Sequence, residues 1–282
     1  MIEFLHAGLH TTIQDGGRNT YRSRGIPVSG AMDQQAFHFA NFLLRNDPET
    51  PVFEFTQQGP KLFFHARTHA VLTGGSYEAT LNGAPVPYAT PFFIPAKSEL
   101  HIKHLYEGNY GYLSIENGFH AHQVLGSASY CPAVNDAAKC KKGGNYVFVR
   151  TIQNYEEKHA QVSRGFAKQQ KTKVPVYAGP EFDLLSAEDQ SALVSSNFSI
   201  SAHSSRMAIQ LNHSLNCKAE DILTAPVQPG TVQLTPGGDL IVLMRDAQTT
   251  GGYARILQLS HAGVNSIAQC GVNEQLTFSM IK

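Results

Sequence analysis

The sequence predicts a mainly β protein. Short runs rich in Val, Ile, Phe, Tyr and Thr recur along the chain, and turn residues separate them. The 24 glycines and 14 prolines are spread throughout, and no long helical periodicity interrupts this pattern. Many short strands with regular turns are typical of β-barrels and β-sandwiches. The length of 282 residues, with 42% hydrophobic residues, suits one large β domain or two ordinary ones.

Strands are predicted wherever an apolar, β-branched or aromatic run lies between turn signals. The turn signals are Asn82-Gly83, Glu107-Gly108-Asn109 and Pro236-Gly237-Gly238-Asp239. The predicted strands are Val52–Phe55, Lys61–Phe64, His69–Thr73, Phe92–Ile94, Tyr110–Ile115, Tyr146–Val149, Val174–Tyr177, Thr231–Leu234, Leu240–Met244, Arg255–Leu259 and Gln275–Phe278.

A few short helices are predicted by capping residues. Asp33 can accept hydrogen bonds from the first turn of a helix that runs to about Arg45, and apolar residues then fall on one face. Ser186, with Asp189 three residues later, resembles a capping box that opens a helix to about Ser195. A third short helix is predicted over 261–270, ending at a glycine.

One domain boundary is predicted near residues 155–173. This stretch is polar, rich in Gln and Lys and poor in β-branched residues, as expected of a linker or a long exposed loop. The chain is therefore predicted to form an N-terminal β subdomain over 1–154 and a C-terminal β subdomain over 174–282.

Charge and hydropathy exclude several classes of function. Lys plus Arg and Asp plus Glu both total 22, and this balance argues against broad electrostatic binding to nucleic acid or to an anionic membrane. No apolar run approaches the roughly 20 residues that cross a bilayer. The start of the chain, Met1–His6, lacks the basic and long apolar stretches of a signal peptide. We therefore expect a cytoplasmic protein.

Metal and nucleophile motifs are weak in this chain. The cysteines at 131, 140, 217 and 270 form no paired-ligand spacing and are predicted to be ordinary free thiols. His120 and His122 would share one face of an extended segment, so a cupin-like metal site is the alternative, but no carboxylate lies at a recurring metal spacing. We predict no metal. Ser127 and Ser129 lack the strand–turn–helix context of a serine nucleophile, and no phosphate-binding glycine loop occurs.

Two polar, glycine-rich segments stand out near the ends of the chain. The first contains Gln14, Asp15 and Arg18 around a Gly-Gly pair. It offers an amide, a candidate general base and a guanidinium suited to a carboxylate or phosphate. The alternative is a hairpin turn whose Asp and Arg pair with each other.

The second segment follows the strongly apolar run at 240–244. It consists of Gln248, Thr249, Thr250, Gly251, Gly252 and Tyr253. Its hydroxyls, amide and open glycine N–H groups could hold a carboxylate or an amide carbonyl. The alternative is a β-turn with a glycine bulge. Together the two segments suggest a polar site assembled from distant parts of the sequence.

These residues resemble the biotin-dependent carboxyltransferase family, which is also known as allophanate hydrolase subunit 2, as the KipA-type proteins or as the C subunit of 5-oxoprolinase. The resemblance covers nearly the whole chain. The matching segments are Thr12–Arg18, Gly25–Asp33, Ala40-Asn41, Glu54–Thr56, Gly59-Pro60, Val124–Ser127, Ala178–Pro180, Ser205–Met207, Pro226–Gln233 and Ile241–Tyr253.

The resemblance implies cyclophilin-like β-barrel architecture in two subdomains. It also implies a subunit of an ATP-dependent 5-oxoprolinase, which opens 5-oxoproline to glutamate together with a KipI-type subunit and a LamB/YcsF-type subunit. ATP would be handled within that complex, and no cofactor would be bound tightly by this chain.

Two other functions remain open from the resemblance. One is a non-catalytic regulator that antagonises a KipI-type kinase inhibitor. The other is a biotin-dependent carboxyltransferase acting on urea or a similar amide. No biotin-attachment segment such as Met-Lys-Met is present, so biotin would have to come from a partner.

The motifs and the resemblance together predict the site residues. Gln14, Asp15 and Arg18 are predicted to be catalytic. Substrate binding is predicted for Ser29, Met32, Arg206, Gln248, Thr249, Thr250, Gly251, Gly252 and Tyr253.

The chain departs from the family pattern at two basic positions. Ala128 and Ala247 stand where the family usually has Arg, and this puts the binding of an anionic substrate in doubt. Arg245 and Arg255 are the neighbouring guanidinium groups that could compensate.

Overall fold

The chain divides into two compact units. The structure, a computed structural model, describes residues 1–149, 173–213, 215 and 222–281. The predicted boundary at 155–173 lies outside the described residues except for Lys173, which begins a strand, so that boundary stays a prediction.

The units are not continuous in sequence. The first contains Met1–Gly17 and residues 33–149. The second contains Arg18–Met32 and the described residues from 173 onward. A short segment near the start of the chain thus groups with the C-terminal unit, and it carries several of the predicted site residues.

A nine-stranded sheet builds the first unit. Its strands are β1 (Ile2–His6), β2 (His10–Gln14), β3 (Val52–Thr56), β4 (Lys61–Phe64), β5 (Thr68–Leu81), β6 (Ala84–Pro85), β7 (Phe92–Ile94), β8 (Ser98–Ile115) and β9 (Asn145–Tyr146). The strands pair in the order β2-β3-β8-β4-β1-β9, while β5 pairs with β8 and also with β6 and β7.

The two faces of this sheet differ in chemistry. Alternate residues of a strand point to opposite faces, so Ile13 and Phe53 contribute to the main hydrophobic core. Thr12 and Glu54, which are paired in the β2–β3 register, lie on the other face. Both are buried, with 1% and 2% of their surface exposed. The first unit therefore carries buried polar groups on the face opposite its apolar core.

Helix α1 (Gln34–Leu43) begins where the sequence predicts. Asp33 is the N-cap, and its Oδ1 accepts from the backbone N–H of Ala36 at 3.1 Å. The apolar side of α1 packs through Ala40 and Leu44 against Val71 of β5. Helix formation here therefore follows from the cap and from an amphipathic face.

A closed seven-stranded barrel forms the second unit. Its strands are β10 (Lys173–Ala178), β11 (Phe198–Ile200), β12 (Ala208–Asn212), β14 (Thr231–Leu234), β15 (Leu240–Leu243), β17 (Ala254–Leu259) and β18 (Gln275–Met280). Their order is β10-β17-β14-β15-β12-β11-β18, and the parallel pair β10–β18 closes the barrel. A separate two-stranded ribbon pairs β13 (Ala225–Pro226) with β16 (Thr250–Gly251).

Two helices accompany the barrel. Helix α2 (Ala187–Ser195) has Ser186 as its N-cap, whose Oγ accepts from the N–H of Asp189 and donates to its carboxylate, as the capping box predicts. Helix α3 (His261–Ala268) follows Ser260, and its residues from Gly263 to Ala268 are buried. Short 3₁₀ turns lie at Arg22–Arg24, Asp136–Ala138 and Phe182–Leu184.

The mainly β prediction is confirmed, and most of the predicted strands and all three predicted helices are present. One turn prediction was wrong. Glu107-Gly108-Asn109 lies inside the long strand β8, where the pairing with β5 is irregular and Gly108 has a φ of 84°. A glycine with positive φ accommodates a bulge as well as a turn, and the two cannot be told apart locally.

The strand predicted over 146–149 was only partly correct. Strand β9 ends at Tyr146, and Phe148 makes only an isolated bridge to Phe119. No helix within the described residues has the length and apolar character needed to cross a membrane. The three cysteines that the structure describes are buried and form no disulfide bond within the described residues, and burial raises the pKa of Cys140 to about 12. Cys217 lies outside the described residues.

Candidate functional site

Gln14 is the last residue of β2 and is fully buried. Its Nε2 donates to the hydroxyl of Thr12 at 3.0 Å, and its Oε1 has no hydrogen-bond partner within the described residues. A buried carboxamide with one unused end costs free energy in the folded chain unless it serves a ligand or a water molecule. Gln14 therefore remains a credible site residue.

The Asp15 carboxylate holds two distant loops together. Its Oδ1 accepts from the hydroxyls of Ser127 and Ser129, at 2.6 and 2.5 Å, and from the N–H of Gly17 at 2.9 Å. Its Oδ2 accepts from the N–H of Ala128 at 2.6 Å. We call this cluster of Asp15, Gly17 and Ser127–Ser129 the Asp15 clamp.

Asp15 is also a donor in the clamp, since its backbone N–H donates to the Ser129 hydroxyl at 3.0 Å. A carboxylate that already accepts four hydrogen bonds has little capacity left for a substrate proton. This geometry favours a positioning role for Asp15 over that of a general base. It also explains Ser127 and Ser129, whose hydroxyls support the carboxylate.

The polar face beside Gln14 continues towards helix α1. The hydroxyl of Tyr112 accepts from the N–H of Asp33 at 2.8 Å and donates to the side chain of Glu54. Burial raises the pKa of Tyr112 well above its ordinary value, and the carboxylates of Glu54 and Asp33 raise it further. Tyr112 therefore stays protonated and acts as a hydrogen-bond donor in this unit.

The segment Arg18–Met32 runs along the barrel in the second unit. The backbone of Arg18 donates to the carbonyl of Val28 at 2.7 Å, and the Arg18 side chain is buried with 2% exposure. The guanidinium of Arg22 donates to the carbonyl of Val227, and burial lowers the pKa of Arg22. These bonds bring the segment to the residues that precede β14.

Ser29 is the most constrained of the predicted binding residues. It has a φ of 58°, which is uncommon for a residue with a side chain, and it is fully buried. Its N–H donates to the carbonyl of Arg245 at 2.8 Å. Its hydroxyl has no hydrogen-bond partner within the described residues. Backbone strain of this kind tends to occur at binding sites.

Arg206 joins this segment to the loop after β15. Its Nε and Nη2 donate to the two carboxylate oxygens of Asp246, at 2.8 and 3.1 Å. Its Nη2 also donates to the carbonyl of Gly30 at 2.6 Å. Both charged side chains are nearly buried, with exposures of 9% and 10%. Arg206 is therefore engaged in holding the loops.

The two guanidinium groups considered as replacements for the missing family arginines are also engaged. Arg245 donates to Asn265 at 3.1 Å and to the carbonyl of Met32 at 3.5 Å. Arg255 forms a two-pronged pair with Glu181, with distances of 2.9 and 2.7 Å, and donates to the carbonyl of Pro226 at 3.0 Å. Ala247 is buried in a small apolar cluster with Val227.

The glycine-rich segment 248–253 forms one side of the β13–β16 ribbon. The carbonyl of Thr249 accepts from Val227, and that of Gly252 accepts from Ile222. Thr250 and Tyr253 are exposed. No side-chain hydrogen bond is found for Gln248, Thr249 or Thr250 within the part of the chain that the structure describes. The ribbon therefore presents unused polar groups.

The second unit thus brings together most of the predicted binding residues. Ser29 and Met32 contact Arg245, Gly30 contacts Arg206, and Arg206 is paired with Asp246. Gln14 and Asp15 belong to the first unit, and Arg18 belongs to the second. The first segment does not form the local Asp15–Arg18 pair considered as its alternative, because the Asp15 carboxylate bonds to residues more than 110 positions away.

Sequence reasoning did not predict Asp246, Glu181 or Gln233 as site residues. The only sequence signal for the two acidic residues is that a buried arginine needs a carboxylate partner. Gln233 lies in the middle of β14 and gave no sign of a polar role. No group of three or more His, Cys, Asp or Glu side chains that could hold a metal ion occurs among the described residues.

The Glu181–Arg255 pair makes stability depend on pH. Arg255 lowers the pKa of Glu181, mainly through the side-chain hydrogen bonds. A carboxylate whose pKa is lowered on folding stabilises the protein at pH values above its ordinary pKa of 4.5. This contribution is lost as the pH falls through the pKa that the carboxylate has in the folded protein. We expect Glu181→Gln to lower the free energy of unfolding by about 1–3 kcal/mol at pH 7. This difference should shrink to nothing in strong acid.

Urea denaturation of both proteins at pH 7 and at several acidic pH values measures this effect. Glu188→Gln is the control, because Glu188 is exposed in the first turn of α2 and should contribute less than about 1 kcal/mol. A difference for Glu181→Gln that stays constant with pH would contradict the ion pair.

A tight contact fixes glycine at position 251. A Cβ placed on Gly251 would lie 2.6 Å from Nε2 of Gln233 and 3.5 Å from Cγ1 of Val227. We expect Gly251→Ala to lower the free energy of unfolding by about 1 kcal/mol, since the buried Gln233 side chain must move. Gln233→Ala should relieve most of this loss in the double variant. Thermal unfolding of the two single variants and the double variant measures the coupling, and strictly additive effects would contradict it.

The sheet, the closed barrel and the loop cluster beside it define a carboxyltransferase-type β protein. The chain belongs to the family described as "Carboxyltransferase domain, subdomain A and B", which matches residues 24–280. The family expectation drawn from the motifs is confirmed.

Two proteins of known name are similar to the chain in sequence. It is 30% identical to the C subunit of 5-oxoprolinase from Escherichia coli (strain K12), over 99% of this chain and 90% of the relative. It is 40% identical to urea amidolyase of Saccharomyces cerevisiae over 129 residues, which are 45% of this chain and 7% of that protein.

The fold is shared with a solved urea carboxylase from Kluyveromyces lactis. That structure superposes with a TM-score of 0.88 at 24% identity, over 100% of this chain and 27% of the solved chain. The chain spans about half the length of another solved chain of this fold, at 55%.

Proposed function

We propose that this chain is a component of an ATP-dependent 5-oxoprolinase, which opens the lactam of 5-oxoproline to give glutamate. The observation that carries the proposal is the similarity to the C subunit of 5-oxoprolinase over nearly the full length of both chains. We propose that the enzyme also contains two partners, one of the KipI type and one of the LamB/YcsF type.

The polar groups of the chain support an amide substrate. In the second unit, the hydroxyls of Ser29, Thr249 and Thr250 are neutral hydrogen-bonding groups, and no side-chain hydrogen bond is found for them within the described residues. Neutral donors placed around a carbonyl stabilise the negative charge that develops on its oxygen during attack. We propose that these hydroxyls bind and polarise the amide. For the first unit we propose, separately, that Gln14 is needed for activity and that the Asp15 clamp positions the backbone that follows it.

The engaged arginines of the second unit support the proposal that a partner subunit binds ATP. Arg206 and Arg255 are each paired with a carboxylate, and Arg22 is bonded to a carbonyl. A triphosphate is bound by guanidinium or ammonium groups and by glycine-rich backbone loops of a kind that the sequence motifs do not include. We therefore propose that ATP is handled mainly by another member of the complex and that no cofactor is bound tightly here.

The test is glutamate formation from 5-oxoproline and ATP by this chain purified with its co-expressed native partners. We expect turnover that disappears when this chain is left out. Thr249→Val/Thr250→Val should reduce turnover at least tenfold, since each hydroxyl that contacts the developing charge is worth about a factor of ten or more. Thr90→Val, at an exposed threonine of the first unit, should leave turnover unchanged. A stable complex without turnover would count against the proposal.

The urea amidolyase similarity favours a second candidate, transfer of a carboxyl group from biotin to urea or a similar amide. Here a partner would supply the biotin. The same preparation tests this candidate, because a biotinylated protein should then copurify with the chain. A regulator of a KipI-type kinase inhibitor would instead bind that partner tightly and show no ATP-dependent turnover of either amide.

A further inference from the structure

Gln233 is a buried polar residue whose amide nitrogen has no hydrogen-bond partner among the described residues. It lies in the middle of strand β14, and 2% of its surface is exposed. Its Nε2 is buried and makes no hydrogen bond within the described residues, and no bond to its Oε1 is found there either. An unsatisfied buried amide destabilises a fold. Such a residue calls for an explanation other than stability.

A second glutamine of the same barrel shows what a structural carboxamide looks like. Gln258 lies in the neighbouring strand β17, and its Oε1 accepts from the hydroxyl of Thr231 at 2.9 Å. Its Nε2 donates to the carbonyls of Pro229 and Leu259, at 3.0 and 3.1 Å. All the principal hydrogen-bonding groups of Gln258 are used, whereas those of Gln233 are not. The fold can therefore satisfy a half-buried glutamine in this sheet and leaves Nε2 of Gln233 available.

Gln233 lies directly beneath the β13–β16 ribbon. The Nε2 atom approaches Gly251 so closely that no side chain fits there without movement, with 2.6 Å to a Cβ at that position. The ribbon above it carries the unused polar side chains of Gln248, Thr249 and Thr250. The buried amide is thus aimed at the segment that already holds the predicted binding residues.

The immediate charges around Gln233 are neutralised. Arg255 is paired with Gln233 across the β14–β17 register, but its guanidinium is held by Glu181. The other strand neighbour is Ile241. A ligand group that enters here meets a neutral donor and a neutral acceptor on one carboxamide, so the matching group is uncharged and carries one of each.

We propose that Gln233 recognises the amide edge of the substrate through two hydrogen bonds. Its Nε2–H donates to the ligand carbonyl oxygen, and its Oε1 accepts from the ligand N–H. Lactams and urea present an N–H and a C=O on the same side, and this edge is complementary to a primary carboxamide. The inference takes its substrate class, an amide or lactam, from the proposed function. It adds Gln233 as the residue that recognises this substrate.

Access to Gln233 requires the ribbon to shift, because Gly251 covers Nε2. The paired part of the ribbon is two residues long on each side, so few backbone hydrogen bonds oppose such a movement. Ligand binding at Gln233 is therefore expected to be coupled to a displacement of residues 249–252.

The test uses two small lactams and the full chain labelled with ¹⁵N. The probes are 2-pyrrolidone, which has the amide edge but no carboxylate, and N-methyl-2-pyrrolidone, which lacks the N–H. Side-chain amide signals of Gln233 and Gln258 are assigned by their absence in Gln233→Leu and Gln258→Leu. We expect 2-pyrrolidone and urea to shift the Gln233 signal and to leave the Gln258 signal in place.

The affinity comparison decides the inference. Loss of one hydrogen bond of about 1.4 kcal/mol corresponds to a tenfold weaker affinity, so N-methyl-2-pyrrolidone should bind about tenfold more weakly than 2-pyrrolidone. Equal affinity for the two lactams, no shift of the Gln233 signal, or unchanged lactam binding by Gln233→Leu would each overturn the proposal. The lactam comparison needs no substitution, so it remains decisive if Gln233→Leu does not fold. In that case Gln233→Asn identifies the signal.

This outcome is separable from the proposed function. Lactam binding at Gln233 by a chain whose complex makes no glutamate would support the inference and refute the oxoprolinase assignment. A complex that makes glutamate equally well with Gln233→Leu would support the assignment and refute the inference.

Discussion

Asp15→Ala is expected to lower the free energy of unfolding by about 3–5 kcal/mol and to abolish activity of the complex. The substitution removes the acceptor of four hydrogen bonds at once, from Gly17, Ala128 and the two serines of the clamp. Those donors are largely buried and would be left unsatisfied. The cost of an unmade buried hydrogen bond exceeds the gain from making it, so several unmet donors produce a large effect.

Asp15→Asn is the informative companion to that variant. It keeps an acceptor for the serine hydroxyls at Oδ1 but turns an NH₂ group towards the N–H of Ala128, so that a donor faces a donor. We expect an intermediate loss of about 1–3 kcal/mol. Urea denaturation of the full chain measures both variants. Asp183→Ala, at an exposed position, should stay within about 0.5 kcal/mol of wild type.

The same pair of measurements separates a clamp from a catalytic base. A clamp predicts that stability and activity fall together and that Asp15→Asn retains part of both. An Asp15→Ala protein with wild-type stability and no activity would restore the direct catalytic role that the sequence alone suggests.

The sequence anticipated the fold where local signals agree with each other. Asp33 and Ser186 cap their helices as predicted, because a cap is a contact between residues three positions apart and is visible in the sequence. Apolar strands such as Leu240–Leu243 were also predicted correctly, since a hydrophobic run between turn residues favours a buried strand.

One of the strands that the sequence did not predict carries buried polar residues. His10–Gln14 forms β2, yet its Thr and Gln side chains resemble a polar turn in the sequence. These side chains are buried on the sheet face opposite the core, so hydrophobic alternation does not reveal them. The same face carries Glu54 and Tyr112, whose partnership depends on strand pairing.

The candidate site shows the same division. Motifs named the residues around Asp15 and the 248–253 segment, but they could not state their partners. The bond from Asp15 to Ser129 spans 114 positions, and that from Arg206 to Gly30 spans 176. Contacts of this range are set by the tertiary fold, so roles such as clamp or loop anchor emerge only from coordinates.

Arg206→Ala is the second substitution for which we expect a large effect, a loss of about 3–5 kcal/mol in the free energy of unfolding. It leaves the carboxylate of Asp246 nearly buried without its two-pronged partner, and it leaves the carbonyl of Gly30 without this donor. Removing one member of a buried ion pair is costly because the remaining charge is uncompensated. Arg206→Lys should recover only part of the loss, since an ammonium cannot match the planar fork.

A double-mutant cycle with Asp246→Ala tests this account. Once Arg206 is absent, removal of the Asp246 carboxylate should cost far less than in wild type, and it can even restore stability, with a coupling of about 1–3 kcal/mol. Trypsin reports on the segment itself, because Arg24 is exposed within Arg18–Met32 and should be cleaved faster when Gly30 loses its anchor. Independent effects of the two substitutions, with an unchanged cleavage rate at Arg24, would mean that Arg206 does not hold the segment. It would then be available for a substrate, as the motifs alone suggest.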